Sequence, residues 1–244
     1  MTGSLRFACT GCGKCCTGHH VPLTLAETRR WAADNGQVIV LLEAFVTDGP
    51  GMPQEQREHV LPRSHPVRCG EGEIRVAVTF AAFNPGRCRN LDANDRCTIY
   101  DQRPLVCRIY PVEINPHIPL RPGSKDCPPQ AWQQGPVLIH GTRLVDTELE
   151  ALVQASRQAD RDDIAAKVAL CQALGMTTSA LKGNGFTAYL PDMHVFAAAL
   201  AQMPDDAGAQ WTLHVEDEAL LADLRQQGLR TTHKPPVYYA FIGF

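Results

Sequence analysis

With 244 residues and 44% apolar content, the chain can fold as one large domain or two small ones, and it needs no covalent staple to do so. A formal net charge of −3 offers no basic excess for nucleic acid or an anionic membrane surface, so neither partner is expected. Ten cysteines are the unusual part of the composition.

The opening MTGSLRFACT has neither the charged and apolar regions nor the cleavage site of an export signal. The dense apolar stretch VIVLLEAFV, residues 38–46, contains Glu43 and is far shorter than the ~20 residues a bilayer span requires. These readings predict a cytoplasmic protein whose thiols stay reduced, where ten cysteines point to metal ligation or redox chemistry rather than disulfides.

In chain order, FACTGCGKCCTGHH at residues 7–20 places Cys9, Cys12, Cys15 and Cys16 within eight positions. Thr24 and Glu27 have capping-box spacing and predict a helix ending near Gly36. In EGEIRVAVTFAAF, Ile74, Val76, Val78 and Phe80 alternate with Arg75, Ala77, Thr79 and Ala81, the period of a half-buried strand leading to Cys88. Turn signals follow at Asn84–Gly86 and Arg121–Ser124.

Beyond about residue 137 the apolar spacing becomes helical, through Leu149, Leu152, Val153, Ile164, Val168, Cys171 and Leu174, with Gly175 as a stop. Shorter helices are expected from Asp192 to Met203 and from Asp217 to Gln227, with short strands in WTLHVE and VYYAFIGF. Nine cysteines precede residue 128 and one follows it. The fold class expected is therefore α+β. Residues 1–136 would form an irregular, loop-rich cysteine-cluster metal domain with a few short strands. Residues 137–244 would form a mostly helical region able to pack onto it as one unit.

The spacing C-x2-C-x2-C keeps three sulfurs on one loop, and Gly11 and Gly13 give the backbone freedom to turn them toward a common centre. It fits the first three ligands of a bacterial ferredoxin run, and paired Cys-x2-Cys ligands also suit zinc. Side chains of the adjacent Cys15 and Cys16 leave the backbone in different directions, so either one is spare or the two serve different sites. Cys88, Cys97, Cys107 and Cys127 bring the candidates to eight. From Arg87 to Arg108 five arginines face three aspartates, a balance that offsets the charge of about −2 left by four thiolates around zinc or an oxidised four-iron cluster.

The string CxxCxxCC at Cys9–Cys16, then CRNLD, CTIYDQRPLVCRIYP and a last cysteine before proline, closely resembles the YkgJ-type cysteine-cluster family of zinc- or iron-chelating domains, related to flagellin lysine N-methylase. The resemblance covers residues 7 to about 130. It implies that Cys9, Cys12, Cys15, Cys16, Cys88, Cys97, Cys107 and Cys127 are the metal set, with Cys69 and Cys171 outside it.

Cys171, on an apolar helix face, reads as packing, and Cys69 is isolated. His19 and His20 follow the cluster closely and could complete a site in place of a thiol, but with enough sulfurs at hand they read as solvated groups or as supports for the ligands, and Tyr100 and Tyr110 as shields against water. Arg103 and Pro104 read as architectural, positioning the Cys107 turn.

Three functions follow. The first is an iron-sulfur protein with a redox or protein-modifying role. In it Cys9, Cys12, Cys15 and Cys127 hold one cluster, four-iron by preference, and Cys16, Cys88, Cys97 and Cys107 surround a second metal, while the C-terminal region meets a protein partner. The second is a zinc module in which metal stands in for an absent core. The third is an S-adenosylmethionine-dependent lysine methyltransferase, suggested by the methylase kinship alone; no G-x-G-x-x-G turn supports it. Whether the chain is an enzyme is left open. Three thiolates on one loop favour iron over zinc.

Overall fold

The computed structural model describes residues 3–46, 54–182, 185–233 and 239–243. It is α+β, and its residues fall into two compact units that interleave along the chain: residues 1–21 with 83–158, and residues 22–82 with 159–244.

The second unit is built on a nine-stranded sheet. Its strands are β2 (Val21–Leu23), β3 (Val38–Phe45), β4 (His65–Cys69), β5 (Gly72–Ala82), β8 (Thr178–Leu181), β9 (Gly185–Tyr189), β10 (Thr212–His214), β11 (Thr231–Thr232) and β12 (Tyr239–Gly243). The main path runs β11-β10-β8-β3-β5-β2, with β4 on β5 and with β9 joining β3 to β12. The alternating stretch predicted from Ile74 to Phe80 is β5, with Ile74, Val76, Val78 and Phe80 buried. Its partner β3 is the VIVLLEAFV run. Seven of its eight residues are buried because the strand is covered on both faces, which is why it reads as a continuous apolar segment rather than an alternation.

Helix α1 (Leu25–Ala33) opens with the predicted capping box: the Glu27 N–H donates to Thr24 Oγ1 and the Thr24 N–H to Glu27 Oε2. Helix α5 (Met193–Gln202) is capped by Asp192 and α6 (Glu218–Gln226) by Asp217, both beginning where the sequence indicates. The ends of the predicted strand VYYAFIGF, residues 237, 238 and 244, lie outside the described residues. Phe80 and Phe196 meet edge to face at 5.4 Å, and Val168 and Trp211 are fully buried in the same core.

Helix α4 (Thr147–Ala173) contains the long apolar periodicity, and Cys171 is buried on it. Where α4 lies in the second unit, Asp163 accepts the Leu25 N–H at 2.7 Å. Lys167 is 2% exposed and donates to the Leu23 carbonyl; burial lowers its pKa from the ordinary lysine value.

The first unit has little regular structure. It contains β1 (Ser4–Arg6), β6 (Val137–His140) and β7 (Arg143–Leu144) in a three-stranded sheet, the short helix α3 (Leu105–Ile109), and, among the described residues, four 3-10 turns with loops between. A loop-rich segment was expected here, and residues 83–136 have that character.

Candidate metal centre

All eight candidate cysteines lie in the first unit. The loop that carries the first four is shaped at Gly13, which has φ 68° and lies so close to Asp95 that a methyl group there would come within 2.9 Å of its Cβ. Glycine is thus required on two counts. The following 3-10 turn, Lys14–Cys16, is closed by the Cys16 N–H on the Gly13 carbonyl (3.0 Å) and sets the Cys15 and Cys16 sulfurs 3.9 Å apart.

Backbone straps bring the later cysteines to this loop. The Cys88 N–H donates to the Cys16 carbonyl and the Gly18 N–H to the Gly86 carbonyl, each at 2.8 Å. Buried Asn84 donates through Nδ2 to the Cys16 and His19 carbonyls, both at 3.2 Å. Arg87 holds the next loop by donating to the Leu91 and Asp92 carbonyls and to the Asp95 carboxylate (2.8 Å), while Asp92 Oδ1 accepts the Asn94 and Arg96 N–H groups. Those two backbone donors hold the Asp92 carboxyl below its usual range. Cys97 is thereby paired back against Leu91. Cys107 sits on α3, which begins after Pro104.

The last cysteine arrives by a separate route. The Ala8 N–H donates to the Ala131 carbonyl (2.9 Å), and Phe7 meets Trp132 ring to ring at 4.9 Å, so the chain around Cys127 is anchored beside the first loop. His19 Nε2 lies 2.9 Å from the Asp126 carboxylate.

Several of the thiols shift one another. Cys15 is raised first by the hydrogen bond it shares with Cys16, then by burial, then by charge on Cys16 and, behind it, on Cys127 and Cys9. Cys127 is raised by burial first and by charge on Cys12 and Cys9. Cys107 is pushed up to about 12 by burial first, then by charge on Cys16, Cys88 and Cys97, with Arg103 opposing. Cys88 is raised by burial and by charge on Cys16 and Cys97. Charge on Cys127 and Cys9 thus acts on Cys15 and charge on Cys12 and Cys9 on Cys127, while charge on Cys16 and Cys97 acts on both Cys88 and Cys107. Cys15 and Cys16 act most strongly on each other. Cys16 is lowered to about 6, chiefly by the same shared hydrogen bond and then by Arg103 and His19. Arg103 is itself fixed by donating to the Tyr100 carbonyl (2.7 Å) and stacking 3.5 Å over the Tyr100 ring.

The sulfurs converge without meeting: among the described residues, no three His, Cys, Asp or Glu side chains stand within joint reach of one ion. His20 is held away from such a role because its Nδ1 accepts the Asn84 N–H (3.0 Å) and its ring stacks on Phe83. Cys69 and Cys171 are fully buried in the other unit, Cys69 donating to the Arg230 carbonyl.

Residues 8–128 match the family model of the CxxCxxCC domain, described as a putative zinc- or iron-chelating domain. That segment belongs to the CxxCxxCC family. No curated protein and no solved structure matches the chain. The donor set of this CxxCxxCC domain fits a soft metal, since thiolates select zinc or iron-sulfur chemistry. Burial raises Cys88, Cys107 and Cys127 above all, and the bond to Cys16 raises Cys15, with charge on neighbouring sulfurs adding to each; a bound cation would relieve that added part.

Asn84 and Asp126, which frame the domain's cysteine loops, are not legible in the sequence, where Asn84 reads only as the start of an NPG turn.

Proposed function

We propose that residues 8–128 hold two thiolate sites, Cys9, Cys12, Cys15 and Cys127 around an iron-sulfur cluster of four-iron type and Cys16, Cys88, Cys97 and Cys107 around a second metal, in a cytoplasmic protein with a redox or protein-modifying role. What supports the reading is how the chain gathers the sulfurs: the Cys15 and Cys16 sulfurs stand 3.9 Å apart, the Cys88 N–H is strapped to the Cys16 carbonyl, and the chain around Cys127 is anchored beside the first loop. Binding then draws four Sγ atoms inward, so chelation and local folding are one event. The cluster would supply electron transfer or a Lewis-acidic iron. The chain's own residues would enclose it, and Arg103 would offset thiolate charge beside Cys16 and Cys107.

Zinc in both sites is the second reading. It is favoured by a different observation: each set contains four thiols, the closed complement of a structural zinc site, in a segment with little apolar core. Protein purified without oxygen separates the two. Brown colour with iron and acid-labile sulfide in stoichiometric amount supports the first reading; colourless protein with about two zinc ions replaces it with the second. Metal-free protein that takes up neither refutes both.

A further inference from the structure

Tyr110 ends helix α3, its N–H donating to the Val106 carbonyl (3.0 Å) in the helix that carries Cys107. Its hydroxyl leaves that helix and reaches the other set of cysteines. There it accepts the Asp126 N–H at 3.2 Å and the Cys127 thiol at 3.7 Å. Lys125 lies 5.5 Å from the ring and pairs with Glu113, and the Asp126 carboxylate meets His19. Residues 125–127 are therefore gripped at three successive positions, and at Cys127 the grip is on the sulfur itself.

A thiol that binds a metal has lost its proton and can only accept hydrogen bonds. The Asp126 N–H already donates to the Tyr110 oxygen, and the phenol carries one proton of its own. When Cys127 gives its proton to solvent on chelation, the bond between the two side chains must reverse, with the Tyr110 O–H donating to sulfur.

We propose that Tyr110 is a positioning residue of the first set of four: its hydroxyl, fixed by the Asp126 N–H and by helix α3, donates to the Cys127 thiolate and holds that sulfur in its coordinating orientation. No bond to the metal is made by Tyr110, and no oxidant or reductant is involved. The inference rests on the metal reading above, with Cys127 as a ligand. Supporting groups of this kind alter metal affinity by about 10–100-fold when removed, and a hydrogen bond to a thiolate withdraws electron density from sulfur.

The test uses cobalt(II) as the probe in wild type, Tyr110→Phe, Cys127→Ser and the double variant. Tyr110→Phe should bind the same number of ions as wild type but release one of them to a chelator about 10-fold faster or more. Its sulfur-to-cobalt charge-transfer band should move to longer wavelength, a signature that loss of packing alone does not produce. In the Cys127→Ser background the same change should add nothing. Wild-type release kinetics in Tyr110→Phe, an unmoved band, or an undiminished effect in the Cys127→Ser background each overturn the proposal. If Tyr110→Phe is poorly folded, the double variant still decides, because a folding defect persists there and a sulfur-directed effect does not. Wild-type protein that binds no cobalt would instead refute the metal reading itself.

Discussion

Cys16 should be the most reactive thiol of the reduced, metal-free protein near neutral pH, and Cys15→Ala should lower that reactivity. The shared hydrogen bond across 3.9 Å favours a thiolate on Cys16 and a thiol on Cys15, and Arg103 and His19 stabilise the same charge. With Cys16 lowered to about 6, roughly 90% of it is thiolate at pH 7, whereas a thiol at its ordinary value of 9.0 is only ~1% ionised there. Removing the donor should therefore raise the pH midpoint of Cys16 alkylation and slow the reaction at pH 7 a few-fold, because the more basic thiolate left behind, though rarer, is intrinsically more nucleophilic. Arg103→Ala should give a smaller loss, because its charge ranks behind the hydrogen bond. The assay is timed alkylation with iodoacetamide across pH, with each peptide quantified by mass spectrometry. The midpoint measured belongs to the Cys15/Cys16 pair, which shares a proton, so both peptides must be followed. An unchanged pH midpoint for Cys16 alkylation in Cys15→Ala would refute the assignment of its acidity to Cys15.

Burial pushes Cys107 up to about 12, so folding favours its protonated form. The resulting stability is complete below the ordinary thiol value of 9.0 and is lost as pH rises toward about 12; urea midpoints of metal-free protein from pH 8 to 11 should fall, and fall less in Cys107→Ala. Gly13→Ala must adopt φ 68° with a Cβ crowding Asp95, at a cost of about 1–3 kcal/mol, and should lower bound metal per folded chain as counted by elemental analysis. Phe196→Ala should cost about 3–5 kcal/mol in urea unfolding, while chains that remain folded keep their full metal content. Serine at Cys88 or Cys97 should reduce metal content, and serine at Cys171 should not.

What the sequence reveals and conceals follows from the range of each interaction. The capping box of α1, the Asp192 and Asp217 caps and the alternation of β5 are set by residues at most a few positions apart, so they read directly. Strand β3 is apolar nearly throughout because β5 and β9 flank it and both faces are covered, a tertiary fact that erases its period. Strands β8 and β9 are short and pair with strands distant in sequence, β8 with β3 and β10 and β9 with β3 and β12, so nothing local announces them. The interleaving of units has the same origin: β3 pairs with β8 and β9, more than a hundred positions later. Cysteine spacing was legible because three ligands share one loop. The Asn84 bridge, the Asp126–His19 contact and the Tyr110–Cys127 contact were not, since each joins residues whose separation carries no period.

The two units differ in what can hold them together. In the second, Val38, Val40, Leu42, Phe80, Val168, Phe196, Trp211 and Leu213 are all fully buried or nearly so, enough to order a sheet without help. Among the described residues of the first, the buried apolar side chains are Leu91, Ile109, Ala131, Leu138 and Val153, two of them outside the cysteine-bearing loops. The loops are instead held by backbone straps and by Asn84, Arg87 and Asp92. Such bonds are modest in net stability, because water competes for the same groups when the chain unfolds. Ions bound as proposed would supply what is missing, since structural zinc in four-ligand sites contributes about 10–16 kcal/mol at neutral pH. Chelation should therefore tighten residues 84–128 while leaving β3 and β5 as they are, and hydrogen exchange with and without metal resolves the two. Equal protection gained in the sheet and in the loops would contradict a division in which apolar burial orders one unit and sulfur-bound metal the other.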